Sequence, residues 1–205
     1  MNKSMGKIFI VSGSSGSGKT TLLKKLKLKR EFRRTLVKLI TVTTRPARQN
    51  EKNGRDYQFV KRDEFLKRLH SGEFIESQQI YGDFYATPKK DLLEVINGAQ
   101  DALLCVDDRG ALSLKHIFPK ESVLIFILVP DIKSLRERLH LRSSESKGSL
   151  DKRMNFARKE MSYVKHYDYV IVNDVLKEAL NKFSAIIIAE RMRVKPRPLS
   201  NVRDE

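Results

Sequence analysis

The chain has 205 residues, 40% hydrophobic and 32% charged, enough for one domain with inserted subdomains and a core that needs no disulfide scaffold. Lys and Arg total 41 against 25 Asp and Glu, a formal net charge of +16, and such a field admits nucleic acid, nucleotides and phosphate esters as partners. The single Cys105 excludes an intramolecular disulfide, and the longest purely apolar run, Val123 to Val129, is too short for a membrane span, so the expectation is a cytoplasmic protein.

In chain order, residues 7–12 read as a buried strand that leads into Gly and Ser rather than into a signal-peptide core. Residues 19–28 follow as a helix with Leu22, Leu23 and Leu26 at helical spacing. Further strands are expected at 36–42, 102–106, 122–129 and 169–172, and helical patterns at 62–69, 88–97, 131–141, 149–163 and 174–191. Short apolar strands separated by helices imply buried parallel strands with crossover helices, hence a three-layer α/β domain around a central parallel sheet. Residues 43–87 break the alternation, being polar and rich in Arg, Tyr and Gly with strand-like pieces at 57–60 and 74–80. They read as an inserted small α/β subdomain. Residues 142–148 are Ser-rich and polar, a loop pattern, and the end from Arg193 onward has no apolar periodicity.

The strongest motif is Gly13-Ser14-Ser15-Gly16-Ser17-Gly18-Lys19-Thr20, which satisfies G-x-x-x-x-G-K-S/T. Glycines let the backbone wrap so that consecutive N–H groups face an anion, and the helix opening at Lys19 adds its positive end. Lys19 can reach the β- and γ-phosphates of a nucleoside triphosphate, and the Thr20 hydroxyl can ligate Mg²⁺. A Gly/Ser linker could match by chance, but this motif follows a buried strand and opens a helix, as the function requires. Kinase, GTPase and ATPase all stay open at this point.

A second anion site is suggested by Thr43-Thr44-Arg45-Pro46-Ala47-Arg48, with two guanidinium groups three residues apart, and by the phenols of Tyr57 and Tyr85. On spacing alone a solvated basic loop fits this segment equally well. The residues here resemble the guanylate kinases, a family of P-loop nucleoside monophosphate kinases. The resemblance lies in residues 41–48, in Asn53-Gly54-Arg55-Asp56-Tyr57, in Phe74-Ile75-Glu76, in Tyr81-Gly82-Asp83-Phe84-Tyr85-Ala86-Thr87 and in Val170-Ile171-Val172-Asn173-Asp174. It runs from about Lys7 to Glu190 in uninterrupted order.

The resemblance implies transfer of the γ-phosphoryl group of ATP to GMP, with Mg²⁺ as cofactor. It implies a single domain with its core in 1–40, 88–130 and 155–192, a GMP-binding subdomain at 41–87, a lid at 131–154 and a basic tail at 193–205. Gly13 to Thr20, with Thr21 and Asn173, would bind ATP. Arg45, Arg48, Tyr57 and Tyr85 would hold the GMP phosphate, while Thr41, Glu76, Thr87 and Asp107 face the guanine. Lys19 and the lid arginines Arg138, Arg142 and Arg153 would act on the transferring phosphates, although Arg138 and Arg153 could as well be helix-surface charge.

Some positions depart from the family pattern. Thr41 replaces Ser and keeps the hydroxyl, and Ala86 replaces a Gly. Cys105 stands where a carboxylate usually does, which leaves Asp107, with Asp108 as a substitute; Cys105 itself reads as a small core residue. Other readings are a ribose bisphosphate phosphokinase relative, which would not need Glu76 with Thr41, and a non-catalytic guanylate-kinase-like scaffold module, which typically lacks an intact nucleotide loop. Nucleic acid is not expected as the main partner, since no base-reading motif or aromatic stacking patch accompanies the basic charge. No membrane partner is expected, and monomer and homo-oligomer both stay open.

Overall fold

The computed structural model describes residues 5–131, 133–134 and 162–193. Its centre is a five-stranded parallel sheet of β1 (Ile8–Ser12), β2 (Leu36–Lys38), β7 (Asp101–Cys105), β8 (Ser122–Leu128) and β9 (Tyr169–Val172), in the order β2-β7-β1-β8-β9. Alternation along β1 sends its side chains to both faces, and both are covered. Phe9 and Val11 pack with Leu22 and Leu26 of α1 (Lys19–Leu28) and with Phe183 and Ile187 of α5 (Leu176–Met192). Ile8 and Ile10 pack with Leu92 and Ile96 of α3 (Lys89–Asn97) and with Leu114 of α4 (Asp108–Ile117). Each of these side chains is fully buried, which stabilises the fold by roughly 1.5–3 kcal/mol apiece. The three-layer α/β expectation is met.

The inserted segment forms a second sheet of β3 (Val42–Thr43), β4 (Gln58–Phe59), β5 (Phe74–Ile80) and β6 (Asp83–Pro88), ordered β4-β3-β6-β5. Its own small core centres on Phe65 of α2 (Arg62–His70), whose ring lies 4.9 Å from that of Phe74 and 5.3 Å from that of Phe84. The β5–β6 hairpin turns through Tyr81 (φ 53) and Gly82 (φ 89), a pair of left-handed residues that matches the twist of the strands.

The structure corrects the expected elements in three places. Residues 36–42 are not one strand. Leu36–Lys38 joins the parallel sheet, whereas Val42–Thr43 belongs to the inserted one, so an apolar run that looks continuous crosses between two sheets. Strand β6 and helix α4 were not anticipated. Helix α4 carries few large apolar residues, because its buried face is made by Asp108, Gly110, Ala111 and Leu114. The helical expectation at 149–163 falls on residues that are not described, apart from 162–163, and so does most of 131–141. The lid and the tail lie outside the described residues almost entirely.

Candidate active site

β1 ends at Ser12, and Gly13 takes a φ of 136° to leave the sheet. A Cβ there would run into the Ile127 carbonyl of β8, so the exit demands glycine. Gly16 and Gly18 are also left-handed, at φ 90° and 88°. The Ser17 N–H donates to the Ser14 carbonyl at 3.0 Å, and α1 opens directly after Gly18. The Lys19 ammonium donates to the carbonyls of Gly13 and Ser14, the latter at 3.0 Å, and so arches over its own loop. Ser14, Gly16 and Ser17 are buried, while Ser15, Thr20 and Thr21 are exposed. The Ser17 hydroxyl is buried without a hydrogen-bond partner among the described residues. Asn173 donates from Nδ2 to the Ser17 carbonyl at 2.7 Å. It braces the loop from below, in the space that a Gly18 side chain would need.

The inserted sheet brings together the residues expected to form a second anion site. Arg45 follows β3, and Nη2 donates to both oxygens of Glu51, at 3.0 and 2.8 Å, while the Arg48 N–H donates to Glu51 Oε2 at 2.9 Å. Burial works against the charge on Arg45, but the bonds to Glu51 outweigh it and hold its pKa above the ordinary value. Burial likewise opposes ionisation of Glu51, and its bonds from the Arg48 amide and Arg45 hold it below the usual carboxylate range. The Arg45 guanidinium also lies 5.6 Å from the centre of the Tyr57 ring and 5.8 Å from that of Phe59. Tyr85, opposite Thr43 on β6, sets its ring 6.3 Å from Tyr57. Burial pushes the Tyr57 phenol well up, so it stays a neutral donor. Arg48 is exposed at the rim.

Below this pocket lies a buried carboxylate. An irregularity between Phe74 and Glu76 shifts the β5–β6 register and brings Glu76 opposite Thr87. The Thr87 hydroxyl donates to Glu76 Oε1 at 2.6 Å. Burial pushes Glu76 up to about 7, and the neighbouring Asp107 adds to the rise against the Thr87 bond. Asp107 caps α4 by accepting from the Gly110 N–H at 3.0 Å, and burial raises its pKa. Asp108, expected as a substitute carboxylate, is buried with its Oδ1 accepting from the Tyr167 hydroxyl at 3.0 Å; burial pushes it up to about 6. Burial also raises the Cys105 thiol, which therefore stays protonated near neutrality.

The two halves meet. A cavity of about 30 Å³ is lined by Thr20 of α1, by Thr41, Glu51 and Tyr57 of the insertion, and by Lys38 and Cys105 at the strand ends. A tie holds them together: Lys24 of α1 contacts Asp56 Oδ1 at 2.9 Å, and Arg55 Nε donates to Asp56 Oδ2 at 2.8 Å. These bonds outweigh the burial of Asp56 and keep it strongly acidic. Glu51 and Asp56 were not singled out from the sequence. An acidic residue three places after the second arginine, as their counter-charge, was the available signal for Glu51. For Asp56 there was none beyond its place in the Asn-Gly-x-Asp-Tyr stretch. Arg138, Arg142 and Arg153 lie outside the described residues.

The family model described as guanylate kinase matches residues 5–190. The chain is 39% identical over 189 residues to a guanylate kinase of Clostridium acetobutylicum, covering 92% of this chain and 88% of that one. It is 39% identical over 193 residues to one of Anaplasma phagocytophilum, covering 94% and 91%. The crystal structure of guanylate kinase from Anaplasma phagocytophilum superposes with a TM-score of 0.78 at 36% identity, covering 95% of this chain and 90% of that one.

Proposed function

The chain belongs to the guanylate kinase family and transfers the γ-phosphoryl group of ATP to GMP, giving ADP and GDP, and we propose that the phosphate loop and the Arg45–Tyr57–Tyr85 pocket are the two halves of its active site. The observation that carries this assignment is the shared cavity, where Thr20 of the loop helix meets Thr41 and Tyr57 of the insertion. Lys19 and the loop amides cradle the ATP phosphates, with Asn173 fixing the loop from beneath. Thr21, next along α1, borders the same loop.

Mg²⁺ fits the donor set through the Thr20 hydroxyl, a hard oxygen exposed at the loop, whereas the protonated Cys105 does not suit a hard cation. Among the described residues no group of three or more His, Cys, Asp or Glu could hold a metal, so triphosphate oxygens and water would supply the other ligands. When bound, the ion neutralises charge on the β- and γ-phosphate oxygens.

Arg45 and Arg48 present the GMP phosphate as nucleophile, and the neutral phenols of Tyr57 and Tyr85 add donors. No general base is needed, because the acceptor phosphate is already an anion. Arg138, Arg142 and Arg153 are proposed, on the family resemblance, to close over the γ-phosphoryl group and exclude water. Glu76 accepts from guanine N1–H and the 2-amino group, Thr87 orients Glu76, Thr41 donates to O6, and Asp107 borders the base. Cytoplasmic location is part of the proposal. Separately, no helix among the described residues is long and apolar enough to cross a membrane.

Base choice tests the assignment. Adenine offers a bare N1 and no 2-amino group, and a site built on such bonds can reject the wrong base by about 10⁴-fold. Catalytic efficiency should fall from GMP to IMP to AMP, and Glu76→Gln should erode the preference. A Glu76→Gln enzyme that keeps the wild-type order and ratios would remove Glu76 from the base site.

A further inference from the structure

Gly110 lies in the first turn of α4 and is buried. Its φ is not among the positive ones, so the backbone does not explain a glycine there. Space does. A Cβ at this position would stand 2.7 Å from Glu76 Oε2, 3.3 Å from Glu76 Cδ and 3.0 Å from Asp107 Oδ1. The Glu76 carboxylate thus rests directly against the bare Cα, while Thr87 holds its other oxygen at 2.6 Å. Two contacts, one at each oxygen, hold this carboxylate: a hydroxyl on β6, and the bare Cα on α4.

We infer that Gly110 is a positioning residue for base selection, because the absence of a side chain there sets where the Glu76 carboxylate meets the guanine edge. The inference rests on the assignment of Glu76 as guanine acceptor. A methyl group at residue 110 meets mainly the far end of a flexible side chain, so the fold yields by rotating the carboxylate and not by moving α4. Rotation draws Oε1 off the Thr87 hydroxyl and turns the carboxylate plane away from N1–H and the 2-amino group, whose two donors need both oxygens at once. The better helix propensity of Ala over Gly offsets part of what is lost when the buried Thr87–Glu76 bond is drawn apart and Asp107 Oδ1 gives way. Recognition of GMP should therefore suffer far more than stability or ATP binding, which a merely structural glycine would not produce.

The test is steady-state kinetics and thermal melting of the full chain carrying Gly110→Ala, with Gly110→Ser as a second variant, each alone and in a Glu76→Ala background. A displacement of this size in a hydrogen-bonding site is worth on the order of 10- to 100-fold. The expected result is a rise of about that size in KM for GMP, KM for ATP within about twofold, and a melting temperature within a few degrees of wild type. In the Glu76→Ala background the further effect of Gly110→Ala on KM for GMP should vanish, because no carboxylate remains to be displaced. The inference is overturned if Gly110→Ala and Gly110→Ser leave KM for GMP unchanged, if their effect persists undiminished without the Glu76 carboxylate, or if melting temperature and both KM values worsen together. If Glu76→Ala alone leaves KM for GMP untouched, the assignment of Glu76 fails and this inference falls with it. A damaging Glu76→Ala beside a silent Gly110→Ala overturns this inference alone.

Discussion

Glu51 aims Arg45, and Glu51→Gln removes the charge that does so while keeping the shape. In the native arrangement one Arg45 nitrogen bridges the two Glu51 oxygens at 3.0 and 2.8 Å, and the Arg48 amide adds a bond at 2.9 Å. Hydrogen bonds to charged groups contribute about 1.5–3 kcal/mol each. The amide keeps one acceptor oxygen, so about one such bond is lost and the rest weakened. Both side chains are mostly buried, at 15% and 18% exposure, so solvent screening trims this only moderately and about 1–2 kcal/mol of positioning is lost. If that energy orients Arg45 toward the GMP phosphate, KM for GMP rises about 5- to 30-fold. KM for ATP and kcat should stay within about threefold. The assay is coupled ADP formation with GMP varied at saturating ATP. A fall in KM for GMP would refute the reasoning, because it would mean that Glu51 competes with the substrate phosphate for Arg45. An unchanged value would mean that Arg45 needs no orienting partner.

Lys19→Ala should lower kcat by about 10²–10³-fold, the scale for removing one charge-stabilising donor, with little change in melting temperature. Among the described residues Lys19 bonds only to the loop carbonyls of Gly13 and Ser14, so near-normal turnover in the variant would show that the loop is not the ATP site. Glu76, pushed up to about 7, must lose its proton to act as the proposed acceptor for guanine. Below pH 7, KM for GMP should therefore rise by up to about tenfold per pH unit, and above it level off. The phosphate of GMP titrates near pH 6, so the limb belonging to Glu76 is the part that disappears in Glu76→Gln. The same raised pKa means that the Glu76 contribution to stability is fully present below the ordinary carboxylate pKa and is lost as pH rises through 7. Melting temperatures of wild type and Glu76→Gln should thus diverge most above pH 7, and parallel curves would contradict the burial of an ionisable Glu76.

The phosphate loop was legible because its chemistry is local: glycines, a lysine and a threonine at fixed offsets between a strand and a helix. Strands β1 and β8 were legible for a related reason, since strands buried on both faces read as unbroken apolar runs. The edge strand β9 was legible as a short β-branched run, although Val170 and Val172 are exposed. The run 36–42 misled because hydropathy carries no record of which sheet accepts a strand, and Thr41 stands where the chain passes from one sheet to the other. Helix α4 escaped because its buried face is built partly from Asp108 and Gly110, a carboxylate and a residue with no side chain, which leave little apolar periodicity to read. The Arg45–Glu51 pair and the Lys24–Asp56 tie escaped for a third reason. Counter-charges are identified by distance, and only the folded insertion brings Asp56 back to α1. Family resemblance supplied Glu76 and Thr87 one at a time, and the structure showed that they bond to one another.

The most direct measurement is ADP formation by the wild-type chain from ATP and Mg²⁺, with GMP, AMP, CMP and UMP offered separately as acceptors. GMP should sustain turnover, and AMP should trail it in kcat/KM by about 10⁴-fold, as expected of a site that bonds both N1–H and the 2-amino group through Glu76. Equal efficiency with AMP, or turnover with a pyrimidine acceptor in place of GMP, would contradict guanine selection by the inserted sheet.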